Sequence, residues 1–235
     1  MDKQIKKLEA EVDALQTLTM RAYGRFIFLR PMLTDQKLHD RINREGKVVS
    51  FEQLRYWLYW GLVQELSKIC SDSDPRSPSI SRMTEKLKDN DHLRKQLEEK
   101  YVKNNRELGE GELGAAQLRA DFNRKYSDYL ERADDMLSSH SVGGYKTIRD
   151  KLISHNELRW SKGSSTGYDF YDVKDAKLKY GDEKKLLEKL QVLVDRLLHI
   201  VRNVDFSWES FFGIKEKVAS KFWRFDEQSH QETDR

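Results

Sequence analysis

The run Arg149-Asp150-Lys151-Leu152-Ile153-Ser154-His155-Asn156 sets an imidazole six residues after a guanidinium, with a carboxylate between them. Histidine, with an unperturbed pKa near 6.5, is suited to take and give protons at neutral pH. Arginine offers a planar, permanently charged fork of N–H donors that fits anionic oxygens. The interval alone discriminates weakly, because Arg224 and His230 repeat it. Setting separates the two: His155 falls in a stretch of helical apolar spacing, His230 in a polar tail. On an α-helix six residues turn through about 600°, which leaves the pair roughly 120° apart with about 9 Å of rise. They are then not the i, i+4 neighbours of a local pair. Ile148, Leu152, His155 and Arg159 share one stripe, and Arg149, Ile153, Asn156 and Trp160 share the next. Two readings stay open on these residues alone. Either His155 caps the helix end while Arg149 pairs with an acid, or the stripes edge a site that a second helix completes across a two-fold axis.

Elsewhere the sequence is poor in catalytic signatures. It contains no GxxxxGK[ST], no GxGxxG after a strand, no GxSxG and no HExxH. Cys70, the single cysteine, excludes an internal disulfide framework and a thiolate-rich zinc site, and reads as a small buried hydrophobe. His39, His92 and His140 lie among polar residues and are expected in solvent, while His199 reads as a packed ring with a hydrogen bond. No cluster of metal ligands is visible, so neither a metal nor a cofactor is expected.

Helices must position whatever chemistry there is. Ile5, Leu8, Val12 and Leu15 step by 3, 4 and 3, predicting a first helix over about 2–29 that Pro31 ends. A short helix over 33–45 should close at Gly46, and Ser50 with Gln53 forms a capping-box pattern ahead of an apolar helix over 51–70. The aromatic run Tyr56-Trp57-Leu58-Tyr59-Trp60 in that helix reads first as core or interface packing and second as a base-stacking surface. Ser77 and Pro78 predict the start of a helix reaching about residue 88, followed by charged and long helices over 90–108 and 115–138. Gly143-Gly144 should break the chain before a helix over 145–160. Residues 161–182 read as irregular, with a brief extended piece at 168–173, before helices over 183–203 and 208–225. There is no internal repeat, and a single domain over 1–225 with a disordered polar tail over 226–235 is the economical division.

Composition agrees. The 235 residues are 37% hydrophobic and 35% charged, with three prolines and twelve glycines. An average domain is about 25% charged. So little turn punctuation excludes sandwiches, barrels and propellers and points to long amphipathic helices. Aromatic residues at 11% supply a core and argue against disorder throughout. A formal charge of +3 does not by itself announce a nucleic-acid-binding face. The first residues lack an apolar signal region and no run approaches a membrane-spanning length, so the chain reads as cytoplasmic with no membrane contact.

An Arg, a polar residue and a His four to six positions after the Arg, on a late helix of an all-α domain, resembles the HEPN superfamily. The segments Tyr56–Leu62, Asp72–Ile80, Arg149–His155 and Trp208-Glu209 through Phe222-Trp223 resemble its abortive-infection U-type branch, a likeness covering about residues 15–225. Ile153-Ser154 stands where a small apolar residue before the His would be expected, a mild departure. The resemblance implies a bundle of long antiparallel helices, a homodimer, and a metal-independent endoribonuclease of bacterial phage defence. It implies that His155 exchanges protons, Arg149 steadies the phosphorane, and Asp150 orients Arg149 or the partner's imidazole. Lys151, Asn156, Arg159 and Lys162 would then bind flanking RNA. It also implies RNA as partner and an antitoxin or other defence protein as a further one. A non-catalytic HEPN module that only binds RNA or protein, and a purely structural helical assembly protein, are the competing readings.

Overall fold

The structure is a computed structural model that describes residues 3–72, 74, 76–105, 111–154, 158–160, 168–170, 176–179 and 181–223. Its helices are α1 (Lys3–Thr34), α2 (Gln36–Arg44), α3 (Val48–Ser71), α4 (Ile80–Lys88), α5 (Asp91–Asn104), α6 (Gly111–Leu137), α7 (His140–Ile148), α8 (Asp182–Leu197) and α9 (Trp208–Trp223). α7 runs on into a π-helical segment, Arg149–Ser154, and α8 into a second one, Leu198–Arg202. Two short strands, β1 (Leu158–Trp160) and β2 (Tyr168–Phe170), pair antiparallel with Arg159 opposite Asp169. The fold is all-α, as the composition requires, with this one pairing added.

The described residues divide into two compact units, Met1–Met20 with Val63–Phe206, and Arg21–Leu62 with Ser207–Arg235. In the first, α6 buries Phe122, Tyr126, Tyr129, Ala133 and Met136. Their 4-3-4-3 steps form one stripe along the helix. α6 packs on α4, α5 and α8, whose Ile80, Met83 and Leu87, Leu93 and Leu97, and Leu186, Leu190, Val194 and Leu197 complete the core. The seam Ile5, Leu8, Val12 and Leu15 is buried throughout, as its spacing predicts. Thr84 Oγ donates to the Ile80 carbonyl at 2.8 Å and lies 3.1 Å from the Tyr129 hydroxyl, so the buried hydroxyls are satisfied.

In the second unit Ile27, Met32, Leu38, Ile42, Phe51, Ala219 and Trp223 form the core, with Phe28, Leu54, Leu58 and Phe212 packed against it. Trp223 Nε1 donates to the Phe28 carbonyl at 3.1 Å, and Arg41 donates to the Trp223 carbonyl. Tyr23 meets Phe212 and Trp208 at ring separations of 4.8 and 5.8 Å.

Several boundaries differ from the sequence expectation, each for a local reason. Pro31 lies inside α1, which continues to Thr34. Proline removes one donor there, while Leu29 and Met32 on either side are fully buried. Ser50 lies in the first turn of α3 and does not cap it. Lys47 accepts the helix's first bond, from Phe51 N at 3.0 Å. The chain reaches that point through a Schellman turn at Gly46, where Gly46 N bonds the Asn43 carbonyl at 3.2 Å and Lys47 N the Ile42 carbonyl at 3.1 Å. Gly46 has φ +67°, so the expected closure of α2 at this glycine holds. The cap of α4 is Ser79, two residues beyond Ser77. Gly143-Gly144 lies within α7 and breaks nothing. Gly144 is needed for close approach: a Cβ there would stand 2.7 Å from Leu178 Cδ2 and 3.0 Å from the Ala176 carbonyl. The extended piece expected near 168 is β2, but its partner β1 lies where a helix to residue 160 was expected. The tail over 226–235 falls outside the described residues.

Candidate active site

α7 buries Val142, Gly144, Tyr145 and Ile148, and this anchoring delivers the π-helical segment that opens at Arg149. The Arg149 N–H still reaches the carbonyls of Tyr145 and Lys146, so the guanidinium departs from a hydrogen-bonded turn. Arg149 Nε donates to Asp150 Oδ1 at 2.7 Å and Nη2 stands 2.6 Å from the same oxygen. One edge of the fork is therefore fixed on the carboxylate, and the edge bearing Nη1 points away from it. The Arg149 side chain is 14% exposed and that of Asp150 39%, which places the pair at a surface boundary. Lys151 follows in the same segment, half-buried.

The structure thus pairs Arg149 with Asp150, with Lys151 next in the same segment. His155, Asn156 and Lys162 lie outside the described residues, and Arg159 is placed only as a backbone position of β1 opposite Asp169. The helical stripes drawn through residue 160 do not exist. A π turn closes i→i+5 bonds, so Ser154 stands one turn after Arg149, and the chain is a strand by Leu158. The 120° separation of Arg149 from His155, and the two-fold axis argued from it, fall on a position outside the described residues.

His199 is a part-buried ring with a hydrogen bond, as its setting predicts. His199 lies in the other π-helical segment and its Nε2 bonds the Asp205 carboxylate. The turn between them is set by Asn203 at φ +55°. The hydrogen bond from His199, and its charge, hold the Asp205 carboxyl below the usual carboxylate range. Hydrophobic spacing on α8 concealed this pairing, because the partner lies past the helix end; the Asn in a polar turn was the available signal. His92 and His140 are exposed as their neighbours suggest. His39 is half-buried, with Nε2 2.9 Å from the Met32 carbonyl and its ring edge on Phe51.

Other chemistry is thinly supplied. Burial pushes the Cys70 thiol up to about 12, which keeps it protonated and inert. Among the described residues no group of three or more His, Cys, Asp or Glu is placed to hold a metal ion, and no helix is long and apolar enough to cross a membrane. Clefts of 320, 420 and 400 Å³ are lined by α1, α2 and α9, by α1, α4 and α5, and by α6 and α8. Arg149 lines none of these three.

The aromatic run on α3 is also placed differently from its first reading. Leu62, Val63, Leu66, Ile69 and Cys70 are buried, but Tyr56 and Trp57 are exposed. The buried residues of α3 lie mostly in its second half, where Lys68 remains exposed.

The HEPN_AbiU2 family, described as AbiU2, matches residues 3–222, which includes α1 to α8, all of α9 but its last residue, and the Arg149 segment. No curated protein and no solved structure shows significant similarity to the chain.

Proposed function

The chain belongs to the AbiU2 family of HEPN domains, and on that premise we propose that this abortive-infection-related domain is a metal-independent endoribonuclease. The observation that carries the reading is the Arg149–Asp150 pair, a guanidinium held at a surface boundary at the head of a π-helical segment. Such segments occur often at functional sites.

In the proposed reaction His155 accepts the proton of an RNA 2′-hydroxyl, and that oxygen attacks the adjacent phosphorus. Arg149 balances the negative charge of the phosphorane, with Asp150 holding its fork in place. The P–O5′ bond breaks and the departing 5′ oxygen takes a proton from a protonated imidazole. The products are a 2′,3′-cyclic phosphate and a 5′-hydroxyl, so no oxidant, metal or cofactor enters the balance. A homodimer would supply a second His155 as the acid, and an antitoxin or defence-system protein would restrain the site. Lys151, Asn156 and Arg159 would bind flanking RNA, and the reaction would take place on cytoplasmic RNA.

A second reading, a HEPN module that binds RNA or a protein without cutting, is favoured by the low exposure of Arg149 and its occupation by Asp150. One assay decides between them. The purified chain is incubated with mixed RNAs in EDTA, and the products are tested for 2′,3′-cyclic phosphate ends. Their appearance supports the nuclease; intact RNA in both EDTA and magnesium supports the binding module.

A further inference from the structure

α7 turns one side to the core and leaves the other open. Val142, Tyr145 and Ile148 are buried, whereas His140, Gly143 and Lys146 are exposed. Nothing stands within 4 Å of where a Cβ on Gly143 would lie, so bare backbone meets solvent there. Thr147 Oγ donates to the Gly143 carbonyl at 2.9 Å and satisfies it. The short segment 176–179 lies against the same helix. Gly144 admits it, since a Cβ there would stand 2.7 Å from Leu178 Cδ2 and 3.0 Å from the Ala176 carbonyl. His140 Nε2 lies 3.2 Å from the Lys177 carbonyl. Lys177 is held at φ +53°, a left-handed conformation that non-glycine residues seldom adopt. Ala176 is buried and Leu178 half-buried, which leaves the side chains of Lys177 and Lys179 in water.

Three ammonium groups therefore border this face: Lys146 from α7, and Lys177 and Lys179 from the segment beside it. Among the described residues, none of the three is paired with a carboxylate. The carboxylates nearby are engaged elsewhere. Asp150 holds Arg149, and Asp182 accepts the Lys179 N–H at 2.8 Å. Asp134 and Asp135 meet Lys88 and Lys189, and Glu183 is buried. Unpaired lysines over bare backbone, with no exposed large apolar side chain on α7 or on 176–179, suit a chain of phosphates. A protein partner would want an apolar centre, which this face does not offer. The face also leads to Arg149, three residues past Lys146, which meets a phosphate in the ribonuclease reading.

We propose that Lys146, Lys177 and Lys179 form a phosphate track along α7 that leads single-stranded RNA to Arg149, with Gly143 letting the strand come close. The choice of RNA rests on the ribonuclease reading; the affinity for a phosphodiester chain does not.

The test uses the full chain carrying His155→Ala, so that binding is read without cleavage. Fluorescence anisotropy with a labelled oligouridylate is followed across salt concentrations, with its DNA counterpart alongside. Each phosphate contact contributes about 0.7 to the fall of log affinity with log salt for a single strand. Lys177→Gln with Lys179→Gln should therefore reduce that slope by about 1.4, and Lys146→Gln by about 0.7. Lys217→Gln with Lys221→Gln, on exposed positions of α9, removes the same charge elsewhere and should leave the slope as it is. The lysines meet phosphates rather than sugars, so the slope for DNA should fall in step. Gly143→Leu keeps every charge and is expected to weaken binding at all salt concentrations. Its melting temperature should not fall, because the position is open and leucine is a better helix former than glycine. In the chain with His155 intact, the Lys177→Gln, Lys179→Gln variant should raise KM and leave kcat unchanged. If that chain binds RNA through these lysines and never cuts it, the ribonuclease reading fails and the track stands. An unchanged slope in the folded Lys146→Gln, Lys177→Gln, Lys179→Gln triple variant overturns the proposal, as does a chain that binds no oligonucleotide. So does tighter binding of polyglutamate than of oligouridylate through the same lysines, which would give the face to an acidic protein segment.

Discussion

In the unit carrying α4 to α8, Lys100 is paired with Glu9 and donates to the Val201 carbonyl at 2.6 Å, and Lys86 Nζ meets both oxygens of Glu11 at 2.6 Å. Asp121 gathers Lys125 at 2.9 Å, Arg124 at 2.6 Å and the Tyr101 hydroxyl at 2.7 Å. In the unit carrying α2 and α9 the recurring partners are rings: Tyr23 with Phe212 and Phe222 with Trp223 at 4.8 Å, and Phe51 with Trp223 at 6.0 Å. Its ion pair Arg30–Glu216 stands half in water. The first unit thus joins its helices with several partly buried ion pairs besides ring contacts such as Tyr101–Phe122. The second relies more on rings, with Arg41 on the Trp223 carbonyl and the exposed Arg30–Glu216 pair beside them. A charge pair taken partly out of water is costly to break, since the stranded partner keeps its desolvation penalty. Ring contacts add about 0.5–1.5 kcal/mol each beyond burial and ignore pH.

The largest effect should fall on chemistry in the first unit. Arg149→Ala and His155→Ala are each expected to lower RNA cleavage about 10²–10⁴-fold. His230→Ala, at the same interval from an arginine, should cut at the wild-type rate. Gel assays against folded controls read this, and cleavage that survives both variants, or that EDTA stops, removes the pair as the catalytic device.

Core substitutions come next and probe the comparison directly. Leu190 is fully buried, so Leu190→Ala should cost about 2–5 kcal/mol in urea denaturation. Leu58 is only half-buried beside the ring cluster of the second unit. Leu58→Ala should fall below about 2 kcal/mol, the lower end of the range for buried leucines. Equal losses at the two sites would mean that the ring-lined unit is as intolerant of a void as the other.

Acid should separate the units further. Burial alone would raise the Asp121 carboxyl, but hydrogen bonds from Lys125, Tyr101 and Arg124 outweigh it and hold it below the usual range. Asp128, also raised by burial, is held down by Arg132 and Arg196. A folded pKa below the unfolded one contributes stability that is present above the unfolded value, about 3.9 for Asp. That stability is lost as pH falls through the lower folded value. Melting temperatures should therefore drop below about pH 4, and Asp121→Asn should flatten that drop. A wild-type curve as steep in the variant would show that Asp121 is not among its causes.

The smallest effect is expected at the solvent-exposed pair Arg30–Glu216. Glu216→Gln should change stability by no more than about 1 kcal/mol by chemical denaturation, as for other surface pairs.

Burial that follows a helical period is legible in the sequence: the Ile5–Leu15 seam sits where its spacing puts it. Single-residue punctuation was less reliable. Pro31, Ser50 and Gly143-Gly144 carry local preferences worth about one to three kcal/mol, and tertiary burial overrides preferences of that size. The exposure of Tyr56 and Trp57 was hidden because an apolar girth does not say which side meets the core. Around the candidate site, sequence found Arg149 beside Asp150, but neither the π-helical segment nor β1 has a hydrophobic period that would announce it. The position of His155 lies outside the described residues.

The segment Arg149–Ser154 bears on how such motifs are counted. A π turn is an α-helix that has absorbed one surplus residue, and each residue of an α-helix is worth about 100° of phase. Deleting Lys151 would restore the α period and swing everything after it around the axis by about that angle. Two chains that differ by one such insertion could present an arginine and a histidine to the same point with intervals of five and six. The interval then works as a tally of turns of unequal pitch, so residue counts across this stretch of an alignment need a gap at the π turn before they measure distance.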